Sequence, residues 1–342
     1  MVRVGPLLVL GALASLSIAA GIATGVGALG GFGSLVALAY VLVLSFGLAR
    51  EVAADRPRLD AAWREAVGVA PAPGGRRLTA WLPLRLVGVL VVVAFATGLA
   101  VLVLGNGWWL MGFGVVPAVS VVFARRTELT RHAWAAGGAA LAAMVVIEAV
   151  FRGSFVGGLV LGLVLAPQAM AGVVLLRASR LARVWTLEGR LGPAARAFAL
   201  GCLLALPPAL LNIAGMTTEM ISAAEASFES GWMAFYALQP ALLEELWARL
   251  GLLPLLFVAF RSAAGSTTGR ALLSALVISV AVHGLAHVPQ SVASVPTALF
   301  LALVFGVPLA LLFLRRGLES AIGYHFFVDF VRFGYVILLV RG

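Results

Sequence analysis

The chain has 342 residues, of which 62% are hydrophobic and only 11% charged. A soluble domain carries about 25% charged residues, so this composition excludes one and predicts an all-α, polytopic membrane protein. The formal net charge of +10 comes from arginines set between apolar runs, as the positive-inside rule expects, so it marks topology and gives no reason to invoke a nucleic-acid partner.

A hydrocarbon core of about 30 Å takes roughly 20 apolar residues in helix, and by that ruler about eleven transmembrane helices are predicted. They fall near residues 6–26, 32–49, 84–104, 108–124, 132–151, 154–176, 197–215, 232–260, 270–288, 296–314 and 317–340. The first, preceded by Arg3, has the look of a signal peptide, but the many spans after it favour an uncleaved first helix. The single cysteine, Cys202, excludes an intrachain disulfide and a cysteine metal site. Loops 50–79, 125–131, 177–196, 261–270 and 315–316 hold most of the arginines, whereas 105–107, 216–230 and 289–295 have none. The arginine-bearing side is predicted to be cytoplasmic, which puts the N-terminus inside and, with an odd number of spans, the C-terminus outside. Within loop 50–79, "EVAADRPRLDAAWREAV" has the mixed charge of a short surface helix, and "APAPGGRR" reads as a linker.

Residues 1–230 offer little chemistry. Glu148 and Arg152 are four apart and can pair on one helix face. Asn106 and Trp108–Trp109 suggest a turn with an interfacial aromatic belt, His132 an interfacial position, and Pro207–Pro208 with Asn212 a kink.

Residues 231–340 differ, because polar groups recur there inside spans at helical spacing. A charged residue in a membrane span is costly and marks a functional position by default. The groups are Glu244, Glu245 and Arg249 in "EELWAR", His283 and His287 in "HGLAH", and His325 and Asp329 in "HFFVD". Residues i and i+4 share a helix face, so Glu245 can pair with Arg249, His283 lies beside His287, and His325 lies beside Asp329. Adjacent residues are about 100° apart on a helix, so Glu244 and Glu245 face different neighbours. Three helices can thus each offer acid–base groups to one interior point. Polar glue between helices, or ion coupling in a transporter, uses similar residues. Glue is usually Ser, Thr or Asn, however, and a chain without matching hydropathy halves is a poor inverted-repeat transporter.

These motifs resemble the CPBP family, the type II CAAX prenyl endopeptidases and their bacterial Abi relatives. "EELWAR" matches EExxxR, with Pro240 shortly before it; His287 matches the histidine of FxxxH, where His283 stands in place of the Phe; His325 and Asp329 match HxxxN/D. The resemblance covers about residues 231–335 and leaves 1–230 as an N-terminal transmembrane region of unknown role. It implies an intramembrane endopeptidase of a bacterial plasma membrane, with membrane lipids around it and a peptide or lipidated protein as substrate; it leaves oligomeric state open. By motif position, Glu244 and His287 activate a water, His325 and Asp329 bind or polarise the scissile carbonyl, and Glu245 and Arg249 hold the site together. His283 is a possible additional member. Peptide hydrolysis needs a general base and oxyanion stabilisation, and a carboxylate withdrawn from water is a better base. Glu244, His287 and His325 could also form the His₂Glu set of a catalytic zinc, so a zinc mechanism and a metal-free glutamate mechanism both stand. A catalytically idle relative acting as a membrane partner or immunity protein is the first alternative function, and a proton-coupled transporter is the second.

Overall fold

A computed structural model of the chain describes residues 4–24, 27–68, 109–216, 231–263, 267–287 and 295–341. Among them there is no strand, and the helices are numbered here in chain order. They are α1 (Val4–Thr24), α2 (Gly27–Ala54), α3 (Arg56–Gly68), α4 (Trp109–Ala124), α5 (Arg131–Arg152), α6 (Phe155–Ser179) and α7 (Leu191–Ala214). There follow α8 (231–263), α9 (Thr268–Ala286), α10 (Val295–Arg316) and α11 (Leu318–Arg341). The chain is a multi-pass helical membrane protein.

Among the described residues, seven helices are long and apolar enough to cross a membrane: α2, α5, α6, α7, α9, α10 and α11. Of the other predicted spans, α1 holds a shorter apolar run (Val9–Thr24) and α4 is only 16 residues long. The span expected at 84–104 lies outside the described residues, as do Asn106, Trp108, the "APAPGGRR" linker and most of loop 216–230. The span expected at 232–260 is a continuous helical stretch, but not a uniform one. It begins as 3-10 helix (Gly231–Ala237), becomes α-helix (Leu238–Glu244), widens to π-helix (Glu245–Leu252) and returns to α-helix (Leu253–Ala263). A π segment inside a helix is rare and is found most often at functional positions. The surface helix expected after the second span is α3, which starts beyond a break at Asp55 with Pro57 in its first turn, where a missing N–H costs nothing.

The chain divides into two compact units. The first comprises Met1–Glu51, Val184–Leu242 and Leu311–Gly342; the second comprises Val52–Arg183 and Leu243–Ala310. Each takes segments from both sides of residue 230, so these units record packing, whereas the division at 230/231 records where the chemistry-bearing motifs begin.

In the first unit α11 packs along α7. A Cβ at Gly323 would overlap the carbonyl oxygen of Phe198, so the two backbones approach as closely as small residues permit. The turn into α11 needs Gly317, whose φ of 101° is a left-handed conformation that disfavours side chains. The start of α11 is tied down by Glu319, whose Oε1 accepts from the backbone N–H (2.8 Å) and the hydroxyl (2.9 Å) of Thr186. Beside it the Trp185 indole donates to the Arg316 carbonyl at 2.9 Å, and Arg315 donates to Glu51 at 2.7 Å.

In the second unit α5 packs against α6, and α6 against the π segment of α8. A Cβ at Gly172 would overlap the Leu250 carbonyl oxygen, so this contact too is backbone against backbone. At the unit's polar edge Asp60 of α3 accepts from the Arg261 guanidinium (3.3 Å) and from the Thr268 hydroxyl, which joins α3 to the ends of α8 and α9.

Candidate active site

The first motif folds as the transition from α- to π-helix. Glu244 ends the α segment and Glu245 opens the π segment. The widened turn is held from outside: the Ala248 carbonyl accepts from the Ser279 hydroxyl of α9 at 3.0 Å, besides the backbone N–H of Leu253. Glu245 and Arg249 form the expected pair, with Nε 3.4 Å from Oε2 and both side chains fully buried.

The second motif lies at the end of α9, in the same unit. His283 is buried, and its Nε2 is 2.8 Å from Glu244 Oε2. Its Nδ1 is 3.3 Å from Arg249 Nη2, which also donates to the Gly306 carbonyl at 3.3 Å. His287 is the C-cap of α9, and its side chain is 35% exposed against 5% for His283 and 13% for Glu244. Its backbone N–H turns to the Gly284 and Leu285 carbonyls. The His283 carbonyl, one of the acceptors a helix end leaves over, takes the His287 Nδ1–H at 2.8 Å. His287 Nε2 is 3.0 Å from Glu244 Oε2.

Donor and acceptor chemistry fixes the protons. A guanidinium only donates, so His283 Nδ1 accepts and its Nε2 carries the hydrogen given to Glu244. A carbonyl only accepts, so His287 Nδ1 carries a hydrogen, and in the neutral ring its Nε2 is a lone pair. That lone pair and a carboxylate oxygen stand 3.0 Å apart, so the Glu244–His287 pair is built to take up and share one proton.

One carboxylate with two imidazoles is a donor set that could hold a metal ion. The tautomers weigh against it, because His283 Nε2 bears a hydrogen as long as Arg249 faces Nδ1. Within this unit that leaves Glu244 Oε2 and His287 Nε2, whereas a catalytic zinc takes three protein ligands. A Glu/His/His group in the chain could hold a metal ion; His325, the remaining member of the expected zinc set, belongs to the other unit.

The third motif sits on α11 in the first unit, with His325 Nε2 3.4 Å from Asp329 Oδ2 and both side chains largely buried. Phe326 and Phe330 on the same helix stack with each other at 5.5 Å, and against Phe198 (5.7 Å) and Phe235 (5.1 Å).

In the second unit the structure brings Glu244, His283 and His287 together, with Glu245 paired to Arg249, and in the first unit it pairs His325 with Asp329. The two adjacent glutamates face different neighbours, and Arg249 and His283 connect them. Glu244 also meets His287 directly. The Gly306 carbonyl and the Ser279 hydroxyl were missed, and neither carries a signal in sequence: one is backbone and the other an ordinary serine in an apolar helix.

Fold and site define a polytopic helical membrane protein with a buried Glu–His–Arg network at a π-helical turn. Residues 226–331 match the family described as type II CAAX prenyl endopeptidase Rce1-like, so that stretch is an Rce1-like domain of the CPBP family. No curated protein and no solved structure matches the chain.

Proposed function

We propose that residues 231–340 are the catalytic core of an endopeptidase that hydrolyses a peptide bond at or in the membrane. The observation that carries this reading is the 3.0 Å contact between Glu244 Oε2 and the unprotonated face of His287, the most exposed member of the network. As a water oxygen attacks the scissile carbonyl carbon, its proton passes to the Glu244–His287 pair. The C–N bond then breaks, that proton passes to the departing amine nitrogen, and the new carboxylic acid gives up the water's second proton to become a carboxylate. His325 and Asp329 take the role that the Rce1-like motif gives them, polarising the scissile carbonyl; their support is the motif and their mutual contact. No step passes through a metal.

The substrate is a peptide or lipidated protein that reaches the site from the membrane. The family resemblance suggests a bacterial plasma membrane, and the arginine pattern puts the N-terminus in the cytoplasm. The test is incubation of the reconstituted protein with a membrane-presented peptide library in ¹⁸O-labelled water. Hydrolysis puts ¹⁸O into a new C-terminal carboxylate. An active-site-dependent release of fragments without label, or no cleavage of any peptide, would remove the reading.

A further inference from the structure

His283 stands where the matched motif has a phenylalanine. A buried imidazole is costly unless both ring nitrogens are satisfied, and here both are: Nδ1 faces Arg249 Nη2 at 3.3 Å and Nε2 faces Glu244 Oε2 at 2.8 Å. A phenylalanine could make neither bond. His283 also touches the other half of the base. Its carbonyl takes the His287 Nδ1–H, and the two rings meet edge-on with centroids 4.7 Å apart. The Trp247 ring centroid lies 6.4 Å away. The ring is therefore held by Arg249 and Trp247 while it contacts both Glu244 and His287.

We propose that His283 is a positioning residue for hydrolysis: Arg249 locks it in the Nε2–H tautomer, and in that form it fixes the Glu244 carboxylate against His287. The inference rests on the peptidase reading and extends it to a residue that the family motif does not supply. The direction of the relay matters. Arg249 is itself anchored to Glu245 and to the Gly306 carbonyl in the π segment of α10 (Ala302–Gly306), so the guanidinium cannot turn away and release Nδ1 without losing both. The ion pair assigned to scaffolding thereby sets the proton position one residue further on, and through it the orientation of the base. His283 touches neither the attacking water nor the scissile bond in this scheme; it acts through Glu244.

The experiment compares wild type, His283→Phe and His283→Gln in proteoliposomes. Glutamine can accept from Arg249 through Oε1 and donate to Glu244 through Nε2, as the histidine does. ¹⁵N spectra of histidine-labelled wild type, with His283→Gln identifying the missing signal, are expected to show a neutral His283 protonated at Nε2. His283→Phe should lower kcat by about tenfold to a hundredfold, the value of a hydrogen bond to a charged group, with KM nearly unchanged. His283→Gln should recover most of that loss. A His283 protonated at Nδ1 or on both nitrogens overturns the proposal. So does a phenylalanine variant with wild-type kcat, or a glutamine variant as poor as the phenylalanine one. The nitrogen spectrum reads the tautomer whether or not the protein cleaves. An inert wild type would therefore remove the peptidase reading, and a wrong tautomer this inference.

Discussion

Arg249→Met should destabilise the protein more than any loss of hydrogen bonding accounts for. Arg249 and Glu245 are both fully buried, with Nε and Oε2 3.4 Å apart. Removing the guanidinium leaves the Glu245 carboxylate without its countercharge, and stranding a buried charge costs about 3–5 kcal/mol. The guanidinium's hydrogen bonds to His283 and Gly306 are each 3.3 Å long. Bonds between membrane helices average about 0.6 kcal/mol, so those two together weigh far less than the charge. Glu245→Leu should cost a similar amount, because it strands Arg249. The double variant Glu245→Leu/Arg249→Met removes both charges and puts apolar groups of similar bulk in their place, which is often neutral or stabilising. The two substitutions are therefore expected to couple by about 3 kcal/mol or more, each single variant being worse than the double. Unfolding titrations of the four proteins in mixed detergent measure this. The double variant should still cleave poorly, because nothing then holds the His283 tautomer. Single variants within about 0.5 kcal/mol of wild type, or a double variant as unstable as the sum of the two, would refute the reasoning.

His325→Ala and Asp329→Ala should each lower kcat by about a hundredfold or more, the scale of losing one group that stabilises an oxyanion, and unchanged kcat would remove them from the mechanism. Purified protein should hold well under one equivalent of zinc and cleave normally after chelation; stoichiometric zinc lost with activity would reverse the reading of the tautomers. Gly172→Val should destabilise by about 1–3 kcal/mol or more, because its side chain would be forced onto the Leu250 carbonyl at the π segment; unaltered unfolding would show that the helices can part there.

Much of the fold was legible because a bilayer leaves few choices: apolar runs of sufficient length become helices, and the charge pattern of "RPRLDAAWREAV" gave α3. The span expected at 232–260 was legible in place but not in kind. Nothing in "ELWARLGL" says π rather than α, since the widened turn is stabilised by partners from elsewhere, Ser279 on one side and the Gly172 face of α6 on another. Local pairs at i+4, Glu245 with Arg249 and His325 with Asp329, could be read directly. His283 could be placed beside His287 by spacing, but its role could not, because its partners Arg249 and Glu244 lie 34 and 39 residues away. A helix face says which side chains are neighbours on one helix; it does not say what a second helix brings to them.

Glu244→Gln in the reconstituted protein, assayed beside unfolding, tests the central claim most directly. The substitution keeps the volume and a carbonyl that can still accept from His283 Nε2–H, and it removes the group that takes the proton. The protein is expected to unfold as wild type does and to cleave no peptide above the uncatalysed rate. A Glu244→Gln protein that folds and still puts ¹⁸O into new C-termini at the wild-type rate would contradict the account.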